Sequence, residues 1–139
     1  KLRLFSPEER LAHIRRTNDT IQGRHVIKSL LIMLTDKFYP LQVEDILYFY
    51  TMNEKVTAYT SDGKLHPVDR TLDALGDQLD EKHFFRANRQ FIISRKAIKD
   101  IDLWFGSRLS VNLTLPIPER IIISKTKTPV FKKWILMEE

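Results

Sequence analysis

The chain predicts a mostly β domain, an elongated sandwich of short antiparallel strands in two or three sheets, with small helices at its margins. Three observations carry that expectation. From Val26 onward, short runs rich in apolar and β-branched residues recur, divided by brief turn-forming stretches. Asp62-Gly63 and Gly106-Ser107 stand between such runs, where a tight reversal needs residues that tolerate positive φ. Helical spacing of apolar residues is confined to a few short segments.

Ser6-Pro7-Glu8-Glu9 reads as a helix start, with a capping serine, a proline at the first helical position and glutamates at the positive end of the helix. Leu11, Ile14 and Ile21 give it one thin apolar stripe, too little to stand alone in water, and Gly23 ends it. Residues 1–24 are therefore expected to be a linker helix that packs on something, or a tail. Because the chain begins at Lys1 and not at a methionine, they are read as the remnant of an upstream domain. Residues 25–139 form the predicted β domain.

Val26 to Leu34 and Phe38 to Leu41 flank the turn-like Thr35-Asp36-Lys37, and Ile46 to Thr51 pairs with Lys55 to Thr60 across Met52-Asn53-Glu54. Ser61-Asp62-Gly63-Lys64 makes the next turn and Leu65 to Val68 returns. A helix interrupts here: Asp69 or Thr71 can cap it, and Leu72, Leu75 and Leu79 fall on one face. Ile98 to Phe105 and Arg108 to Leu113 bracket Gly106-Ser107 as another hairpin, and Ile121 to Ile123 is a last short strand. Ser124 is expected to cap a terminal helix that buries Val130, Phe131 and Trp134.

Composition narrows the function. With 139 residues and 42% hydrophobic content, there is room for one soluble domain with a single core. Zero cysteines exclude disulfides, thiolate metal sites and cysteine nucleophiles, which is compatible with the cytoplasm, the location expected. The unbroken apolar run Leu30 to Leu34 falls far short of the ~20 residues that a membrane span needs, so no membrane partner is expected. His13, His25, His66 and His83 lie far apart, and the chain has neither a glycine-rich phosphate loop nor a nucleophile elbow. No catalysis and no cofactor are expected.

Charge is segregated. Seven Lys and Arg stand against four Asp and Glu over residues 1–36, four against nine over 37–81, and twelve against five over 82–139. The acidic middle and basic end point to a polyanion-binding face. Within the basic part, Phe84 to Ile101 interleaves Arg86, Arg89, Arg95, Lys96 and Lys99 with a strand pattern, and Asp100 is its one acid. Cations of this kind replace condensed counterions on DNA, and a planar guanidinium or amide can meet base edges. Phe84, Phe85, Phe91 and Trp134 could stack on bases, but their strand or helix spacing favours the core. Arg86 and Arg95 could equally pair with the acidic segment.

The same residues carry a family resemblance. Phe84-Phe85-Arg86-Ala87-Asn88-Arg89-Gln90-Phe91-Ile92-Ile93-Ser94 resembles the F-x-R-x-H-R-S-F core of LytTR-type DNA-binding domains, the effector domains of many bacterial response regulators. Val43 to Tyr50 is similar to that family's V-x-D-I-x-Y-I-E strand, Leu72-Asp73-Ala74-Leu75 to its S-L-x-x-L helix, and Ile123-Ser124-Lys125 with Phe131 to Trp134 to its ending. The ordered motifs span roughly residues 26–136.

The resemblance implies sequence-specific duplex DNA binding by a transcriptional regulator, as a pair of copies on direct repeats, with a phosphorylatable receiver domain upstream. It places Asn88, Arg89 and Gln90 at a base or phosphate contact, Lys125 and Lys127 at the start of the last helix against phosphate, and Asn53 or Lys55 at a hairpin tip as the third contact. Trp104, beside the Gly106-Ser107 turn, is a candidate dimer contact. The competing readings are a basic β-rich protein-interaction module without DNA binding and an RNA-binding domain; against RNA, the aromatic motif of RNA-recognition sheets is missing.

Overall fold

Leu47, Tyr48, Phe49 and Tyr50 are buried in succession, which a strand achieves only when both faces of its sheet are covered. That strand is the middle of the domain. The computed structural model describes residues 25–137, so the helix expected near Ser6 lies outside the described residues.

In chain order the elements are β1 (Ser29–Met33), β2 (Phe38–Gln42), β3 (Ile46–Met52), β4 (Lys55–Thr60), β5 (Leu65–Val68), α1 (Leu72–Gln78), β6 (Phe84–Arg86), β7 (Phe91–Ser94), β8 (Ile98–Trp104), β9 (Arg108–Leu113), β10 (Ile121–Ile123) and α2 (Thr128–Leu136). They form a five-stranded antiparallel sheet ordered β5-β4-β3-β7-β6, a β1-β2 hairpin and a three-stranded sheet ordered β10-β9-β8. Mostly β, with three sheets and two peripheral α-helices among the described residues, the architecture agrees with the sequence expectation. Both strand prolines, Pro40 and Pro67, sit on edge strands, where a missing N–H costs no ladder bond.

Two cores lie on opposite faces of the central sheet. One gathers Leu30, Ile32, Ile46, Phe49, Leu72, Leu75 and Ile92, so the β1-β2 hairpin and α1 cover that face. The other gathers Tyr48, Tyr50, Phe91, Ile93, Val111, Ile121, Phe131 and Trp134, so the three-stranded sheet and α2 cover the opposite face. A register shift between Ile46 and Tyr48 lets Leu47 and Tyr48 both turn toward the second core, which strict alternation forbids. Each fully buried Phe or Ile contributes roughly 1.5–3 kcal/mol by leaving water.

The expected helix face over 72–79 is observed, with Leu72, Leu75 and Leu79 buried and Thr71 serving as the cap, its hydroxyl accepting from Ala74 N–H at 3.0 Å. The last helix differs from expectation in two respects. It starts at Thr128 with Pro129 in its first turn, and Ser124 instead closes the preceding turn, its Oγ accepting from Lys127 N–H at 3.2 Å. Val130 is 56% exposed, so Phe131 and Trp134 supply the buried face without it. Among the described residues, no helix is long and apolar enough to cross a membrane.

Candidate nucleic-acid interface

Strands β3 and β6 run toward one end of the central sheet, and β4 and β7 leave from it, so the β3-β4 and β6-β7 loops lie together there. Tyr50 pairs with Phe91 at that end, and Thr51 N–H donates to Gln90 C=O at 3.0 Å, joining the β3-β4 tip to the 87–90 loop. Asn88 Nδ2 donates to Ile122 C=O at 3.0 Å and Lys127 Nζ to Arg86 C=O at 3.0 Å, which joins that loop to β10 and the start of α2. Asn53, Lys55, Asn88, Arg89, Gln90, Lys125 and Lys127 are thereby brought to one end of the domain.

Within the 87–90 loop, two side chains hold the backbone. Asn88 Oδ1 accepts from the Gln90 and Phe91 N–H groups at 2.9 and 3.1 Å, an Asx turn that competes locally with strand pairing. Arg86 Nε donates to Asn88 C=O at 2.6 Å, while its guanidinium meets Asp73 at 2.8 Å and Arg89 C=O at 3.3 Å. The sequence expectation gave Asn88 a base or phosphate contact, whereas its amide is engaged inward on both its oxygen and its nitrogen. Arg86 likewise has the carboxylate partner that sequence left open, since the exposed Asp73 on α1 reaches its guanidinium. In contrast, Arg89 and Gln90 are exposed, and no hydrogen bond or ion pair of the Arg89 side chain joins it to another described residue.

Arg89 stands between two concavities. One, of about 540 Å³, is bounded by Arg86, Asn88, Arg89, Arg108, Ser124 and Lys127. The other, of about 560 Å³, runs past Thr51, Glu54, Arg70, Asp73 and Arg89. Four cations on the first make it the more electropositive of the two. Lys125 is exposed on the turn before α2, free of side-chain partners among the described residues. Lys127 is half-buried over Phe85, its ammonium 5.8 Å from the ring centroid. Burial, and behind it the nearby Arg86 charge, holds its pKa below the usual lysine value. One of its three donors is spent on Arg86 C=O, so its expected phosphate role is limited to the remaining two.

At the β3-β4 tip, Asn53 and Glu54 adopt φ of 52° and 65°, the left-handed pair that a two-residue hairpin loop needs. Asn53 and Lys55 are both exposed there. Behind the tip, Tyr50 donates to Glu119 Oε2 at 2.5 Å, and Gln90 Nε2 lies 3.4 Å from the same oxygen. The hydrogen bond to Glu119, then burial, pushes the Tyr50 hydroxyl up to about 12.

Sequence reasoning missed Arg108 and Glu119. Arg108 enters through β9, paired with β10, and Glu119 through the loop held to β3 by tyrosine hydroxyls, so neither position has a local signal. Phe84, Phe91 and Trp134 are buried, which assigns them to the core as their spacing favours. Trp104 is half-buried under the Arg120 guanidinium at 4.1 Å, with Leu103 and Phe105 exposed beside it. Among the described residues, His, Asp and Glu nowhere gather in threes that could hold a metal ion.

Comparison with known proteins places this geometry. Residues 36–136 match the model of the LytTr DNA-binding domain. The Bacillus subtilis sensory transduction protein LytT is 28% identical over 111 residues, which cover 80% of this chain and 44% of that protein. The Staphylococcus aureus transcriptional regulatory protein LytR is 30% identical over 87 residues, covering 63% and 35%. The chain thus spans less than half the length of these curated relatives. A solved LytTr DNA-binding domain from Bacillus cereus superposes with a TM-score of 0.67 at 19% identity, over 80% of this chain and 99% of that one, and shares the fold. On the family match over residues 36–136, the chain belongs to the LytTr DNA-binding domain family.

Proposed function

We propose that this chain is the effector domain of a bacterial transcriptional regulator of the response-regulator type, binding duplex DNA sequence-specifically through the end that carries Arg89. One observation carries the assignment to that end: in a loop where Arg86 and Asn88 are committed to holding the backbone, Arg89 projects with no polar partner among the described residues. A rigid loop with one unengaged guanidinium can afford bidentate contact with guanine O6 and N7. Gln90 lies beside it, facing a neighbouring base. Lys125, Lys127 and Arg108 contact phosphates on one flank, and Asn53 and Lys55 reach the duplex on the other. Asn88 acts by positioning the loop and not by touching a base.

In this reading the domain works in the cytoplasm without cofactor, as two copies on direct repeats. A receiver domain upstream of Lys1 would govern pairing through residues 1–24. The test is salt dependence on a duplex enriched from random sequence. Log affinity should fall linearly with log salt, by roughly 0.9 per phosphate contacted. A slope near zero would instead assign the basic face to a protein partner.

A further inference from the structure

Glu119 is an acid placed at the cationic end, where it would repel phosphate. A core tyrosine holds it. The Tyr50 hydroxyl donates to its Oε2 at 2.5 Å, and Tyr50 is buried against Phe91, with ring centroids 4.9 Å apart. The loop leading to it is tied to the same strand a second time, since Tyr48 Oη donates to Pro116 C=O at 3.4 Å, and Pro116 and Pro118 stiffen it. On its other side the same Oε2 faces the Gln90 carboxamide at 3.4 Å.

A carboxylate accepts hydrogen bonds and cannot donate them. Glu119 therefore tolerates only the Gln90 orientation that turns the NH₂ group toward it. Flipping the amide would set Gln90 Oε1 against the carboxylate, two acceptors with no proton between them. In the permitted orientation one N–H is directed at Glu119, which leaves Oε1 and the second N–H, side by side, for an outside partner. That acceptor and donor pair matches the N6 amine and N7 of adenine in the major groove.

We infer that Glu119, anchored by Tyr50, is a positioning residue that locks the Gln90 carboxamide in one orientation and so makes the domain select adenine at the base Gln90 faces. The inference rests on the DNA-binding reading above. Without the carboxylate the amide can flip, and its NH₂ can then meet acceptors on guanine or thymine as readily. The cost of a negative charge beside phosphate is offset by discrimination between bases.

The experiment enriches random duplexes with the full chain, then measures competition binding with each base at the adenine-enriched position. Wild type, Glu119→Gln, Gln90→Ala and the double variant are compared, with thermal unfolding measured in parallel. Glutamine at 119 can accept or donate, so it permits both orientations of Gln90. Wild type should prefer adenine by roughly tenfold or more, and Glu119→Gln should reduce the preference to about threefold or less without lowering the melting temperature. Gln90→Ala should abolish the preference, and adding Glu119→Gln should change nothing further. Four results would overturn the inference: no adenine-enriched position in wild type, an undiminished preference in Glu119→Gln, an equal effect of Glu119→Gln in the Gln90→Ala background, or loss on all four bases together with lower thermal stability. In each of these, salt-dependent binding by wild type would leave the DNA reading standing. Its absence would remove both.

Discussion

The two ends of the central sheet carry similar clusters of cations and use them in opposite ways. At the end away from the candidate interface, Arg95 donates to Lys82 C=O at 2.8 and 3.1 Å and to Ile135 C=O at 3.1 Å, and its guanidinium lies 4.3 Å over the Trp134 ring. Lys96 donates to Glu44 C=O beside it. At the interface end, Arg89 and Lys125 project into solvent without such partners among the described residues. Charge density alone does not mark a nucleic-acid surface. Backbone carbonyls also take donors of Arg86 and Lys127 at the interface end, so what separates the two ends is that Arg89 and Lys125 stay unengaged there, whereas Arg95 and Lys96 are both committed.

The sharpest way to break this comparison is to remove one cation from each end. Arg95→Ala strips several charged donors from carbonyls and uncovers Trp134, so it should destabilise the domain by about 2–4 kcal/mol. Its DNA salt slope should not change. Denaturant unfolding and a binding series in salt report the two quantities separately. A stable Arg95→Ala domain with a shallower slope would mean that the far end also touches DNA.

Arg89→Ala should behave inversely, costing about 1–3 kcal/mol on the enriched duplex while nonspecific affinity and thermal stability stay nearly unchanged. If the variant unfolds, the guanidinium is structural, and the two ends are alike. Lys125→Ala is the weaker companion. It should lower affinity for every duplex by about 1 kcal/mol and make the salt slope shallower by roughly 0.9. An altered base preference in that variant would show base reading where only a phosphate contact is assigned.

Much of this domain was legible in its sequence, and the part that was not has a physical cause. Strand and turn signals are local, so Asp62-Gly63 and the Leu72, Leu75 and Leu79 stripe emerged from spacing alone, while the cap was narrowed to Asp69 or Thr71 and the fold uses Thr71. The commitments of Arg86, Asn88 and Lys127 are not local. Asp73 lies 13 positions from Arg86, Ile122 lies 34 from Asn88, and Arg86 lies 41 from Lys127. Seen in sequence, Asn88-Arg89-Gln90 is a row of three equivalent readers. Folding turns the first inward, leaves the second exposed and sets the third beside Glu119. Val130 shows the same limit at short range: its apolar character suggested burial, but the core takes in Phe131, Trp134 and part of Ile135 and leaves Val130 exposed.

The smallest effect expected lies at the β3-β4 tip, and it separates backbone strain from charge. Glu54 adopts φ of 65°, where a side chain with a β-carbon is crowded by its own carbonyl, whereas Asn53 before it is among the residues that tolerate this region. Glu54→Gly turns the loop into Asn-Gly, the pair best suited to it, and glycine's extra freedom in the unfolded chain offsets part of the relief. A net gain of about 0.5–1 kcal/mol should follow, seen as a rise of a few degrees in melting temperature. The substitution also removes an acid from the concavity that Arg89 lines, so nonspecific affinity should rise modestly while the preferred sequence stays the same. A fall in stability would show that the Glu54 carboxylate contributes more to this end than its backbone strain costs, and would place it with Arg86 and Asn88 among the side chains that hold the loops together.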